Sequence, residues 1–207
     1  MIDYTLSFTT SSLLPYETKE MATLFEQTRD WEVVKQKVLE ENLLQKNSLA
    51  TRKRIYSELK KRIEKLSEDE LRYFNTAPME DLKILSFVGC LKSYRFIYEF
   101  VIEVVREKFL LFDYQIESSD YNSFFESKLA ISQKLGSISE TTQKKLRQVV
   151  YRILAEVGLI ESTKNPCITK PLLSESIIHL LINDDIMLLK AMLVSDSEIE
   201  YYKGLQK

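Results

Sequence analysis

The side chains best suited to chemistry lie on one predicted helix, in the segment from Ser139 to Ile160. At about 100° of rotation per residue, one face of this helix collects basic, amide and phenol groups. The face carries Lys144, Gln148, Tyr151 and Arg152, with Lys145 and Arg147 on its flanks. Cations neutralise phosphates, and amide and guanidinium groups hydrogen-bond to base edges. The pattern therefore favours a nucleic-acid-binding face, although a solvated surface helix explains it equally well.

An apolar stripe on the other side of the same segment predicts how this helix is positioned. The stripe recurs at helical spacing, which is typical of a helix that buries one face. Its members are Leu146, Val149, Val150, Ile153, Leu154 and Val157. Ser139 is a plausible N-cap, and Gly158 is suited to the left-handed residue that ends a helix. The stripe should face a core and leave the basic side in solvent.

A second basic helix is predicted from Ser48 to Leu66, where seven basic and two acidic side chains occur. A shorter helix after Asp30 and a polar break precede it. This layout is typical of a helix-turn-helix, and also of many helical bundles. The candidate phosphate contacts on this helix are Arg52, Lys53, Arg54, Lys60 and Lys61. The alternative is a charged helix that is simply solvated.

Two short β-like stretches follow the first of these helices. Residues 159–161 and 167–169 are rich in β-branched or apolar side chains, and a polar turn-forming loop at 162–166 joins them. Two strands and a loop directly after a basic amphipathic helix are the pattern of a winged helix. The wing would span residues 159–170 and would place Lys164 beside the helix.

The composition favours helices over sheets, because the chain contains only four Gly and four Pro in 207 residues. We predict a mainly α fold with two domains. Residues 1–112 would form a helical domain with a helix-turn-helix-like unit, in which 48–66 is the basic helix. Residues 113–207 would form a winged-helix-like domain with helix 139–157 and a small β-wing. The net charge of −2 does not itself predict nucleic-acid binding.

The sequence offers little for catalysis, a cofactor or a metal. The four glycines are scattered, so they cannot build a nucleotide-binding loop. The single histidine, His179, lies in an apolar sequence and is interpreted as a core or partly buried residue. Two cysteines and one histidine show no zinc-ligand spacing. We therefore predict a protein that is not an enzyme, with no cofactor and no metal.

The hydropathy argues against membrane insertion. The longest run without charge is Tyr4 to Tyr16, thirteen residues rich in Ser and Thr. A spanning helix needs about 20 apolar residues. The N-terminus lacks the basic region of a signal peptide. The sequence thus predicts a cytoplasmic protein.

Four stretches of the sequence resemble the BrxA family, a component of the BREX phage-exclusion systems of bacteria. They are IDYTLSFTT (2–10), DWEVVKQKVLEENLLQ (30–45), SYRFIYEFVIEVVREKFL (93–110) and KKLRQVVYRILAEVGLI (144–160). Ser11 and Ser12 depart from the glycine-containing turn expected in relatives. Members have been described as inner membrane proteins, which the hydropathy contradicts. The resemblance implies a small, mostly helical, non-enzymatic BREX subunit that binds DNA, and it supplies no catalytic residues.

Three functions are compatible with these observations. The leading hypothesis is binding of duplex DNA with little sequence specificity, with other BREX subunits as further partners. The alternatives are a docking or scaffold subunit of the BREX complex, and RNA binding. DNA sequence preference and oligomeric state stay open. The predicted DNA-binding residues are Arg52, Lys53, Arg54, Lys60, Lys61, Lys144, Lys145, Arg147, Gln148, Arg152 and Lys164.

Overall fold

The computed structural model describes residues 3–205, and it is mainly helical within that range. The predicted mainly α fold is confirmed. The chain divides into two compact units. The N-terminal unit comprises residues 10–93, and the C-terminal unit combines residues 3–9 with residues 94–205. The sequence predicted a division at 112/113, whereas the first compact unit ends at Ser93.

The N-terminal unit is built from helices whose starts follow local sequence signals. Asp30 accepts a hydrogen bond from the N–H of Glu32, and Ser67 and Glu70 form a reciprocal capping box. The last helix of the unit is buried on nearly all sides. The helices are α1 (Pro15–Thr28), α2 (Trp31–Leu39), α3 (Leu49–Ile63), α4 (Glu68–Tyr73) and α5 (Met79–Ser93).

One basic residue of α3 lies inside this unit rather than on its surface. Arg62 is 1% exposed, and its guanidinium lies 2.8 Å from the carboxylate of Glu58, one turn earlier. It also donates to the backbone carbonyls of Ser12 and Leu13. A buried guanidinium needs such partners because an uncompensated charge in the interior is strongly destabilising. The charge count of residues 48–66 therefore overstates what α3 presents to solvent.

The C-terminal unit contains a long helix, a compact group of helices and a short hairpin. The long helix changes to π-helical geometry over Val101–Arg106, between α6 and α7. A 3-10 helix at Ser7–Thr10 lies near the start of the chain. The helices are α6 (Arg95–Phe100), α7 (Glu107–Leu110), α8 (Ser118–Leu129), α9 (Gln133–Gly136), α10 (Glu140–Val157), α11 (Glu175–Asp184), α12 (Met187–Ala191) and α13 (Asp196–Leu205).

Aromatic packing explains why the long helix belongs to the C-terminal unit. Phe96 and Phe100 both contact Phe124 of α8, with ring centroids 5.2 Å apart in each pair. The ammonium group of Lys128 lies 3.0 Å from the carboxylate of Glu99. These contacts join the long helix to α8 across the sequence-predicted boundary.

The first described residues complete the core of the same unit. The polar composition of residues 3–14 is typical of an extended arm or loop. Tyr4 is nevertheless 1% exposed, contacts Phe96 edge to face, and donates its hydroxyl proton to the buried carboxylate of Glu99. Phe8 is buried against Tyr94 and Phe96. Two aromatic anchors hold this segment, which polar composition alone does not indicate.

Strand structure is minimal in residues 3–205. Antiparallel bridges join Ile160 to Ile168 and Gln115 to Cys167. Two backbone hydrogen bonds, from Glu161 N–H to the Cys167 carbonyl and from Thr169 N–H to the Leu159 carbonyl, complete a short hairpin. The predicted β-wing strands are thus reduced to isolated bridges. Pro166 and Pro171 flank the second segment and have no N–H to extend a ladder.

Candidate nucleic-acid interface

Both ends of α10, the helix that carries most candidate residues, match the sequence prediction. Ser139 accepts a hydrogen bond from the N–H of Thr142, which satisfies one of the free first-turn amides. Gly158 follows the helix with φ of 83°, a left-handed conformation that glycine adopts without strain. All members of the predicted apolar stripe are buried. The opposite, basic side of α10 therefore faces solvent.

The polar side of α10 presents groups that have no protein partner. Lys144, Lys145, Gln148 and Arg152 are exposed, and Arg147 is half-buried. None of these five forms a hydrogen bond or ion pair with any residue in the described range 3–205. An approaching anion thus displaces no carboxylate from these side chains. Their full charge is available to phosphates.

A cleft of about 830 Å³ opens beside this side of α10. The helix forms one wall, and the turns at 115–118 and 163–166 contribute the others. Glu117 is the one carboxylate among the described residues that line it. A concave surface dominated by one sign of charge concentrates counter-ions. The cations that line the cleft are Lys144, Lys145, Arg147 and Lys164.

The loop between the two bridged segments positions Lys164 at the cleft. Asn165 donates its N–H to the hydroxyl of Ser162 and its side-chain amide to the carboxylate of Glu161, which holds the loop in one shape. Lys164 is exposed and has no ion pair within the described chain. Its neighbour Lys170, by contrast, lies 2.7 Å from Glu198. Only Lys164 of these two is available to the cleft.

Two tyrosines lie behind the cations of α10. Tyr151 lines the cleft, and its ring meets that of Tyr121 edge to face, with centroids 6.1 Å apart. Burial raises the pKa of Tyr151, although the guanidinium of Arg147 partly opposes this effect. In the sequence, Tyr121 belongs to the apolar side of α8 together with Phe124 and Phe125. No sequence signal separated it from an ordinary core aromatic residue.

Several basic side chains of α3, unlike those of α10, interact with other groups of their own unit. Arg52 donates to the backbone carbonyl of Leu39. Lys60 lies 5.1 Å from the ring centroid of Trp31 and 3.8 Å from Glu64. Lys61 is half-buried. The N-terminal unit itself therefore contacts or partly buries these three candidate residues.

Two candidate residues of α3 have no partner among the described residues. Lys53 and Arg54 are exposed and make no hydrogen bond or ion pair within residues 3–205.

The candidate residues thus form two groups in different units. In the C-terminal unit, the structure brings all but Arg152 to one cleft. Arg152 is exposed on α10 without lining it.

Two further features bear on the class of protein. No helix in the described part of the chain is long and apolar enough to cross a membrane. His179, predicted to be a core or partly buried residue, is exposed on α11. The buried side of that helix consists instead of Ile177 and Leu181, so the neighbouring apolar residues did not predict the position of the imidazole.

Comparison with known proteins places this architecture in context. The model of the BrxA family matches residues 2–185. A protein from Bacillus cereus (strain H3081.97), named BREX protein BrxA, is 32% identical over 168 residues, which cover 81% of this chain and 84% of the relative. A protein of the same name from Escherichia coli O9:H4 (strain HS) is 22% identical over 152 residues, covering 73% and 71% of the two chains.

The fold is also similar to a solved structure. The crystal structure of an uncharacterized protein from Magnetospirillum magneticum superposes with a TM-score of 0.80. It is 22% identical, and the match covers 93% of this chain and 99% of the other. At this level of identity the likeness concerns the fold alone.

Proposed function

The chain belongs to the BrxA family, and we propose that it is a non-catalytic DNA-binding subunit of a bacterial BREX anti-phage defence system. It binds duplex DNA mainly through α10 and the cleft beside it. Lys53 and Arg54 of α3 add a weaker contact. Other BREX subunits are its protein partners.

The observation that carries this proposal is the group of unpaired cations around the cleft. Lys144, Lys145, Arg147 and Lys164 line one concavity without a carboxylate partner in the described residues. Surface cations of folded proteins commonly pair with nearby carboxylates, as Lys170 does here. Leaving several unpaired in one cleft is physically reasonable if an external polyanion neutralises them.

The order of elements in the C-terminal unit supports a winged-helix mode of binding. A long helix is followed by a bridged segment at 114–116, then α8, α10 and the hairpin at 159–169. In this interpretation α10 is the recognition helix and the loop at 162–166 is the wing. The second helix of a helix-turn-helix lies in the major groove. Lys164 would then meet the sugar-phosphate backbone next to that groove.

The side-chain types predict weak sequence discrimination. Lys144, Lys145 and Lys164 are point charges suited to phosphates. Gln148 and Arg152 are exposed and can form paired hydrogen bonds with base edges. With base-edge contacts confined to two side chains, most of the binding energy comes from the backbone of the duplex.

A salt-titrated binding assay with a charge-reversal variant tests the proposal. Wild-type affinity should fall with a log–log slope of about −0.9 per neutralised phosphate. Lys144→Glu, Arg147→Glu and Arg152→Glu together should weaken duplex binding more than about 100-fold at low salt. The matched control reverses Lys35, Lys83 and Lys203, which changes the net charge equally at three lysines that do not line the cleft. These three lysines pair with carboxylates one turn away.

Equal binding by the parent and the α10 variant would overturn the proposal. Stronger binding of structured RNA than of duplex DNA in competition would replace the DNA-binding proposal with RNA recognition.

A docking function is the second candidate, because the turn after α7 exposes Leu111 by 75% and Phe112 by 79%. That candidate predicts partner capture that survives nuclease treatment and is lost in Leu111→Ser/Phe112→Ser, with DNA binding unchanged.

A further inference from the structure

Two cavities flank α10, and two basic side chains line both. The larger is the cleft already described. The smaller, of about 250 Å³, lies towards α8 and is lined by Tyr121, Asn122, Glu140, Gln143, Lys144 and Arg147. Lys144 and Arg147 therefore lie between the two cavities. Neither has an ion pair or a hydrogen bond to a residue in the described range.

Each cavity is also lined by a tyrosine whose hydroxyl is buried without a hydrogen-bond partner. Tyr121 lines the smaller cavity and is 1% exposed, and Tyr151 lines the larger one. Both hydroxyl oxygens are inaccessible to solvent, and neither makes a hydrogen bond within residues 3–205. Most buried hydroxyls in folded proteins are satisfied, since an unsatisfied one destabilises the fold. Two such groups on neighbouring rings call for a cause.

The surroundings of these phenols supply donors rather than acceptors. Burial raises the pKa of both Tyr121 and Tyr151, so both keep their proton at neutral pH. Arg147 lines the smaller cavity together with Tyr121 and the larger one together with Tyr151, and its positive charge lowers the pKa of both phenols against the effect of burial. Glu117 lines the larger cavity and Glu140 the smaller one, and neither accepts from these phenols. The cluster thus holds three donor groups that donate to no acceptor within residues 3–205.

We propose that Arg147, Tyr121 and Tyr151 form an oxyanion site that takes the oxygen atoms of one phosphate group. The guanidinium supplies charge-assisted hydrogen bonds, and the two phenols supply neutral ones. A phosphate oxygen fits because it accepts several hydrogen bonds at once. The inference rests on the proposed function for the origin of this phosphate, which is the backbone of the bound duplex; free inorganic phosphate has the same chemistry.

This site predicts opposite effects on stability and on binding. In the free protein an unsatisfied buried hydroxyl is destabilising, so its removal should stabilise the fold. In the complex the same hydroxyl donates to phosphate, so its removal should weaken binding. A purely structural tyrosine does not combine a higher melting temperature with a lower affinity for phosphate.

The double variant Tyr121→Phe/Tyr151→Phe tests this prediction, because it removes only the two oxygen atoms. We expect its melting temperature in chloride buffer to rise by about 2–4 °C. Its affinity for a fluorescent DNA duplex should fall by about three- to tenfold. The log–log salt slope should stay unchanged, since no charge is lost. Arg147→Gln should lower the slope by about one phosphate. Tyr201→Phe, at an exposed tyrosine, is the control.

A second arm uses inorganic phosphate at constant ionic strength, measured by thermal shift. The wild type should be stabilised by millimolar phosphate relative to chloride, and both the double variant and Arg147→Gln should lose this effect. If phosphate does not stabilise the wild type and the double variant binds duplex normally, the oxyanion site is overturned while DNA binding stands. If the wild type ignores duplex but responds to phosphate, the proposed function fails and the site binds free phosphate.

Discussion

α3 and α10 share a pattern of apolar and basic residues, but their basic side chains differ in whether they have partners within the protein. Both begin at a serine N-cap, both carry an apolar stripe, and both concentrate lysine and arginine on the other side. In α3, Arg62 is buried on Glu58, and Arg52 is bonded to a backbone carbonyl. In α10, every basic side chain from Lys144 to Arg152 lacks a partner in the described residues.

The difference indicates that the number of charges on a helix is a poor guide to its binding capacity. A cation that already pairs with a carboxylate or a carbonyl must break that contact before it meets a phosphate. An unpaired cation in a cleft starts from a higher free energy and gains more from an anion. The availability of the charge, rather than its amount, separates α10 from α3.

The largest expected effect concerns the buried cation of α3. Arg62→Met should lower the free energy of unfolding by about 3–5 kcal/mol, because it removes the guanidinium that pairs with the buried carboxylate of Glu58. Arg147→Met, at an unpaired cation of α10, should change stability by less than about 0.5 kcal/mol. Urea unfolding of both variants measures the contrast. Similar losses at the two positions would contradict the distinction between engaged and available cations.

A smaller effect is expected when matched pairs are reversed on the two helices. Lys144→Glu/Arg152→Glu should weaken duplex binding by about tenfold or more, and Lys53→Glu/Arg54→Glu by less than about fivefold. The two variants change net charge equally, and all four side chains are exposed and unpaired in the described residues. Only Lys144 among them lines the cleft. Equal losses in a fluorescence titration would indicate that the cleft adds nothing to exposed charge.

The smallest expected effect is a difference in stability between variants of two lysines in the C-terminal unit, Lys170 and Lys164. Lys170 and Ser195 lower the pKa of Glu198 from its ordinary 4.5 to about 2. Because the folded pKa lies below the unfolded one, the stabilisation is complete above about pH 5 and is lost as the pH falls towards 2. Lys170→Met should therefore cost less than about 1 kcal/mol at pH 7 and a smaller amount at pH 2.5, where protonation of Glu198 has begun to remove the ion pair.

Lys164→Met is the control for this pH dependence, since Lys164 has no carboxylate partner in the described chain. Its stability relative to wild type should not depend on pH between 2.5 and 7 in the same urea unfolding series. A pH-dependent difference for Lys164→Met equal to that for Lys170→Met would refute the assignment of the ion pair.

The sequence alone was sufficient where structure depends on near neighbours. The cap at Ser139, the left-handed Gly158 and the apolar stripe of α10 are all confirmed. Each depends on residues within a few positions along one helix, so spacing and residue type carry the information. The positions of exposed cations on α10 follow from the same periodicity.

What the sequence could not provide depends on distant residues. Arg62 is buried because the carbonyls of Ser12 and Leu13, about fifty positions away, accept from it. Tyr121 becomes part of the candidate site only because α8 packs beside α10 and brings its ring to Tyr151. Helical periodicity identifies which side of a helix is polar. It does not identify which polar groups the rest of the fold will occupy.

The discontinuous C-terminal unit has a consequence for how the chain is made. Tyr4 and Phe8 pack on Tyr94 and Phe96, so these early residues leave the ribosome long before their partners exist. The unit at 10–93 interrupts the sequence of the C-terminal unit. It can therefore fold before the rest of the C-terminal unit has been synthesised. Tyr4 and Phe8 can reach their native packing only after the long helix that carries Phe96 has been synthesised. The unit that carries α10 and the cleft beside it is accordingly the last to be completed.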